Sequence, residues 1–133
     1  MDTGFSVLIS IHSGLCPVHF EEAMQSVLCQ TRKANEIVLV QDGELGSPLL
    51  KIIDSFRSRL NINSVRLKKN LGLALALNQG LKKCSYDLII RVDGDDICLP
   101  ERFENQFNYM NDNPEIVAAS SHVHEFNHDL TIR

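Results

Sequence analysis

The stretch Asp87-Leu-Ile-Ile-Arg-Val-Asp-Gly-Asp-Asp96 decides how this sequence is read. An apolar β-branched run of strand length empties into a turn of Asp and Gly, and a helix start follows at Pro100. Such a run, bounded by turn residues, predicts a buried strand over residues 87–92. Upstream the same grammar recurs. Phe5, Val7, Ile9 and Ile11 share one face of a first strand and Leu8 adds to the other, as in a strand covered on both sides. Ile37-Val38-Leu39-Val40 forms a second strand, halted by Gln41-Asp42-Gly43, and residues 64–68 form a weaker third.

Between the strands the period changes. Phe20, Ala23, Met24, Val27 and Leu28 place a stripe on a helix over residues 17–30, with Pro17 suited to its first position. Leu49, Leu50, Ile53 and Phe56 mark a second helix, and Phe103, Phe107 and Met110 a last one that Asn113-Pro114 stops. The segment from Leu71 to Asn78 has Leu at alternate positions, a strand period, yet Leu and Ala are strong helix formers. It is read as a buried helix with Gly80 near its last turns. Residues 116–120 are read as a fifth strand, and the tail as a hairpin about Asn127-His128-Asp129. The expected order is βαβαβαβαβ, an α/β chain with a mostly parallel sheet and helices on both faces.

At 133 residues the chain is one domain long. With 44% hydrophobic and 23% charged residues it has a globular composition rather than a disordered one. A net charge of −4 and no basic block argue against nucleic acid as partner. No apolar run approaches the ~18 residues of a membrane span and the N-terminus lacks a positive leader region, so no segment is expected to address the protein for export. Cys16, Cys29, Cys84 and Cys98 form no C-x-x-C pair and are expected to be buried, reduced thiols.

Ligands of open α/β sheets bind beyond the carboxyl ends of the strands. There the sequence places Ser10-Ile11-His12, Asp42, and Asp93, Asp95 and Asp96. Adjacent parallel strands would crowd four carboxylates on one rim. Two carboxylates about 4 Å apart repel by roughly 4 kcal/mol at an effective dielectric of about 20, so the cluster calls for protons or a cation. Hard oxygen donors suit Mg²⁺ or Mn²⁺ carrying a phosphorylated ligand. Asp-Gly-Asp-Asp is also an ordinary tight turn, and Asp42-Gly43 another. A calcium loop of the EF-hand type fails, because Ile97 and Cys98 stand where an oxygen ligand and a glycine are needed. His122, His124 and His128 lack the fourth ligand of a zinc site.

These blocks together resemble family 2 of the inverting glycosyltransferases, which have the GT-A fold and use nucleotide sugars. The likeness runs through Phe5-Ser-Val-Leu-Ile-Ser10, Ala23-Met-Gln-Ser-Val-Leu-Cys-Gln-Thr31, Glu36-Ile-Val-Leu-Val-Gln-Asp-Gly43, Asn70-Leu-Gly72 and Ala76-Leu-Asn-Gln-Gly80. It is strongest from Asp87 through the Asp-x-Asp loop to Phe103. The resemblance implies that backbone at Ser10, Ile11 and His12 and the Asp42 carboxylate hold uridine, that Asp93 meets the ribose, and that Asp95 binds the metal, with Asp93 as the further candidate ligand. It implies a UDP-sugar or other nucleotide-sugar donor, an acceptor glycan or lipid-linked saccharide and, from donor availability, a cytoplasmic location at the inner face of a membrane. It departs from the family's pattern at His12, Ser13, Gln41 and Leu77.

The family's general base lies beyond the Asp-x-Asp block, and neither Glu125 nor Asp129 sits in a recognisable base motif, so the catalytic base is unassigned. The family's catalytic domains are longer, so this chain is expected to be the nucleotide-binding half, either a fragment of a longer protein or a truncated gene product. A sugar-nucleotide pyrophosphorylase would need a Gly-rich basic loop where Ser10-Ile-His-Ser-Gly-Leu15 stands. Haloacid-dehalogenase phosphatases and receiver domains need an acid at Ser10. The alternative from another class is a noncatalytic nucleotide-binding or interaction module, whose uncovered face would favour a homodimer.

Overall fold

A computed structural model describes residues 4–127 and 129. Four parallel strands, β1 (Ser6–Ile11), β2 (Glu36–Gln41), β3 (Ile62–Arg66) and β4 (Ile89–Arg91), lie in the order β3-β2-β1-β4. They alternate with α1 (Pro17–Leu28), α2 (Ser47–Phe56), α3 (Leu73–Leu81) and α4 (Arg102–Asp112). β1 pairs with β2 along its whole length, Ser6 facing Glu36 and Ile11 facing Gln41, and with β4 on its other edge.

The period of two in β1 sorts its side chains as the sequence predicts. Phe5, Val7, Ile9 and Ile11 join the larger core with α1, α2 and α4, and Leu8 joins a smaller one with Val38, Val40 and Ala76 of α3. Phe5 is the hub at the foot of the larger core, edge-on to Phe103 at 5.6 Å and tilted on Phe107 at 5.7 Å. Arg32 lays its guanidinium over Phe107, 3.7 Å from the ring centre.

On the opposite face α3 presses against β1 and β2 through Gly80, where a Cβ would stand 2.5 Å from Leu8 Cδ1 and 2.5 Å from Val40 Cγ2. Only hydrogen fits there, so helix propensity is given up for close approach.

The foot of the sheet is closed by a buried carboxylate. Glu36 accepts from Ser6 Oγ at 2.6 Å, from Ser85 N at 2.5 Å and from Ser85 Oγ at 3.1 Å, tying the starts of β1 and β2 to the α3–β4 connection. Burial alone raises its pKa, but the hydrogen bonds from Ser6 and Ser85 outweigh it and hold the group below its ordinary value.

Several expectations change. Residues 116–120 form no strand: Val117 is 96% exposed and the segment has no ladder partner, so β-propensity alone does not order it. The order is therefore βαβαβαβα among the described residues. β3 starts two residues before the expected 64, because its register is set by Ile37 pairing with Ile62. The helix read as buried is half uncovered, since Ala76 and Gly80 face the sheet whereas Leu73, Leu75 and Leu81 are exposed. All four cysteines are free, but only Cys98 is buried; Cys16 and Cys29 are exposed. Burial, eased by Ser6 and reinforced by the Glu36 charge, raises the half-buried Cys84 thiol. Of the expected tail hairpin, His128 lies outside the described residues.

Two outcomes follow from this packing. Gly80→Ala should destabilise the chain by about 1–3 kcal/mol in urea unfolding, because overpacking outweighs the gain of up to about 1 kcal/mol in helix propensity. Because the Glu36 pKa is depressed on folding, its contribution is present above the unfolded value of about 4.3 and is lost as pH falls through the folded one. Glu36→Gln should cost about 1–3 kcal/mol at pH 7 and flatten the acid limb of the stability curve below about pH 4.3.

Candidate functional site

At the carboxyl ends of the strands the connections diverge. The chain leaving β2 turns toward α2 on one face, and the chain leaving β3 turns toward α3 on the other. Crevices for ligands open at such points. Here a cavity of about 270 Å³ is lined by Ser10, His12, Asp42, Asn70, Gly72 and Leu73.

Asp42 is the anchor of this cavity. Its N–H donates to Ile11 O at 2.8 Å, and its carboxylate, 4% exposed, accepts from Leu71 N at 2.7 Å and Gly72 N at 3.1 Å. One side chain thereby fixes the β3–α3 connection against the end of β2. Gly43 makes the turn at φ 90°, with Asn70 N 2.8 Å from where a Cβ would lie, so both backbone angle and space demand glycine. The His12 ring accepts Gly14 N–H at Nδ1, 3.0 Å away, while Leu15 N–H donates to His12 O at 3.1 Å. Ile11 contributes through its backbone, since its side chain is core.

Across β1 lies the acidic turn. Val92 N–H donates to Leu8 O at 3.0 Å, and Asp96 N–H closes on Asp93 O at 3.2 Å. Gly94 is packed where a Cβ would meet Ile11 Cγ2 at 2.7 Å, which hooks the turn over the end of β1. Asp93 pairs with Arg91 at 2.9 Å, and Asp95 is exposed. Partial burial, then the negative charges of Asp93 and Asp95, raise the Asp96 pKa above the ordinary carboxylate value.

The expectation of four carboxylates gathered on one rim is corrected. Asp42 turns to the β3 side and the other three cluster beyond β1, and no group of three His, Cys, Asp or Glu side chains forms a ligand set among the described residues. The structure thus brings Ser10, His12 and Asp42 together and leaves Asp93 and Asp95 in a neighbouring turn. A larger hollow of about 440 Å³, lined by Asn105, Gln106, Tyr109, Ile116 and neighbouring small residues, carries no carboxylate or basic group and offers nothing to hold a phosphate or metal.

Sequence reading missed Gln30. It is 1% exposed, and its Nε2 donates to Leu99 O at 2.7 Å, Ser26 O at 3.1 Å and Cys98 O at 3.4 Å, while its Oε1 accepts Phe103 N–H at 2.9 Å. Ser26 Oγ accepts Cys98 N–H at 3.0 Å and Thr31 N–H donates to Pro100 O at 2.9 Å. α1 and the residues just past its end therefore hold Cys98, Leu99 and Pro100 ahead of α4, and Gln30 supplies an orphan N–H of α4 with its cap. The signal was present: Gln30 stands three residues after Val27 and seven after Ala23, on the apolar stripe itself.

This parallel sheet, with an acidic turn after β4 and a cavity at the ends of β1 and β2, has the GT-A fold. The chain belongs to glycosyl transferase family 2, whose family pattern matches residues 6–133. It is 45% identical over 122 residues to the amylovoran biosynthesis glycosyltransferase AmsE of Erwinia amylovora, covering 92% of this chain and 46% of that protein. It is 43% identical over 122 residues to the Escherichia coli UDP-Gal:alpha-D-GlcNAc-diphosphoundecaprenol beta-1,3-galactosyltransferase, covering 92% and 44%. The solved structure of S. aureus TarS 1-349 in complex with UDP-GlcNAc superposes with a TM-score of 0.74 at 23% identity, over 84% of this chain and 32% of that one. The chain thus spans less than half the length of these relatives.

The capping role of Gln30 predicts that Gln30→Leu, similar in volume, leaves Phe103 N–H and the Leu99 carbonyl unpaired. It should lower stability by about 2–3 kcal/mol in urea unfolding and speed amide exchange at Phe103.

Proposed function

We propose that this chain is the donor-binding part of a glycosyltransferase that takes a UDP-sugar and passes the sugar, with inversion, to an acceptor hydroxyl on a glycan or lipid-linked saccharide. The observation that carries the reading is the cavity bounded by Ser10, His12 and Asp42 at the ends of β1 and β2. Support comes from the UDP-GlcNAc complex of the solved neighbour and the UDP-Gal donor named for the E. coli relative.

In this reading the Ser10–His12 backbone and Asp42 hold the uracil. Both Asp42 oxygens already take a backbone N–H, and a carboxylate offers about four lone-pair sites, so each keeps room for a base N–H. A cavity of about 270 Å³ is below the range of roughly 300–1,000 Å³ for whole drug-sized ligands, which suits a base with the rest of the donor lying outward toward the acidic turn. Asp93 meets the ribose and Asp95 is the metal ligand.

The residues suit Mg²⁺ or Mn²⁺ by their chemistry: the carboxylate oxygens are hard, and Mg²⁺ usually takes one or two carboxylates plus phosphates, so exposed Asp95 with Asp93 beside it suffices without a third protein ligand. Such an ion, when bound, supplies Lewis-acid neutralisation of charge on the departing nucleoside diphosphate. The part of this chain is to hold the base, orient the diphosphate over the turn and keep Asp95 in place through the α1 clamp. The acceptor hydroxyl's base lies outside the assigned residues. Donor supply places the protein at the cytoplasmic face of a membrane, in assembly of a polysaccharide or glycoconjugate.

Calorimetric titration of UDP tests this. Binding is expected with Mn²⁺ present, lost on chelation and weakened at least about tenfold in Asp95→Ala, a loss of some 1.4 kcal/mol. A folded chain that binds no UDP with Mn²⁺ refutes the donor site.

A further inference from the structure

We propose that the outward face of α3 docks this protein on an anionic membrane surface. α3 meets the sheet through Ala76 and Gly80. Its other side is left bare: Leu75 and Leu81 are 54% and 48% exposed and Ala74 is exposed between them, while Leu73, 52% exposed at the helix start, borders the donor cavity. Helical spacing sets Leu75 and Leu81 on either flank of the outward line that runs through Ala74 and Asn78, so the face pointing away from the sheet is largely apolar.

Charge says what covers it. From residue 66 to residue 83 the chain carries Arg66, Lys68, Lys69, Lys82 and Lys83 and no acidic residue, although the whole chain is −4. All five are exposed, and none forms an ion pair among the described residues. Lys82 and Lys83 suit the negative end of the helix dipole. Arg66, Lys68 and Lys69 precede the positive end, where cations oppose the dipole, so the stability of α3 does not account for them.

An apolar helix face with cations beyond both ends matches the boundary of an anionic bilayer, with leucines at acyl depth and ammonium groups at the phosphates. A second copy of this chain fits worse, because a twofold contact through α3 would set the same cations against each other. The remaining surface is acidic and is repelled by anionic lipid, which selects this face. The donor cavity opens at the strand ends and reaches α3 only at Leu73, so the face tested here lies further along the helix; the inference deepens the membrane-face placement of the proposed function without resting on its donor site. UDP binding and lipid binding can each fail without the other.

The test is co-sedimentation of the chain with phosphatidylcholine vesicles with and without phosphatidylglycerol. The chain is expected to pellet only with the anionic vesicles and to be released by high salt. Leu75→Glu/Leu81→Glu and Lys82→Glu/Lys83→Glu, all exposed positions, should each weaken partitioning roughly tenfold or more, with circular dichroism unchanged. Equal binding to both vesicle types, binding to neither, or variants that partition like the parent would overturn the proposal. So would sedimentation velocity showing self-association that the leucine variant abolishes while vesicles capture nothing.

Discussion

A single buried amide ties the two halves of this molecule together. Gln30 leaves the end of α1 and satisfies two carbonyls and one amide of the segment between the acidic turn and α4. That segment has no regular ladder of its own, and backbone groups taken out of water need partners from somewhere. With Gln30, Ser26 and Thr31 in place, α1 becomes the template on which the irregular chain is laid. Phe103 and Phe107 then close over Phe5, so the polar clamp and the aromatic core specify the same position for α4.

The cavity depends on a second clamp of the same kind. Asp42 spends its carboxylate on Leu71 and Gly72, and the bend at Gly43 brings Asn70 against the end of β2. Both clamps work at long range in sequence: Asp42 acts at the carboxyl end of β2, and Gln30, just past the end of α1, fixes the start of α4 where Phe103 meets Phe5. The foot of the sheet is closed by Glu36 with Ser6 and Ser85. Polar side chains thus hold the ends of the parallel strands, and hydrophobic burial fills the middle. Among the described residues β1 and β2 are the strands buried on both faces along most of their length, which is why the site elements hang from them.

Most of the fold was legible because periodicity reports burial directly. The alternating faces of β1, the stripe of α1 and the run in β2 all read correctly from residue type alone. What failed was pairing and exposure. Residues 116–120 have strand composition, but a strand exists only where another chain segment meets it. The leucines of α3 were read as core because composition does not say how many layers cover a helix. Site residues at strand ends were legible as candidates, since topology alone puts them on one edge. Their division into a cavity beside β3 and a turn beside β4 was not legible, because it depends on which amides the Asp42 carboxylate captures. Gln30 was hidden for a related reason: a lone glutamine on an apolar stripe announces burial but not its partners.

The fit of Gly80 between Leu8 and Val40 also constrains how this sequence can drift. Position 80 has no volume to give, and the two side chains facing it come from separate strands. A residue larger than glycine at 80 becomes tolerable only alongside a smaller one at 8 or 40, so the three sites share one conserved volume. Among descendants of this sequence they are expected to change as a linked set, even though they lie 32 and 40 positions apart along the chain.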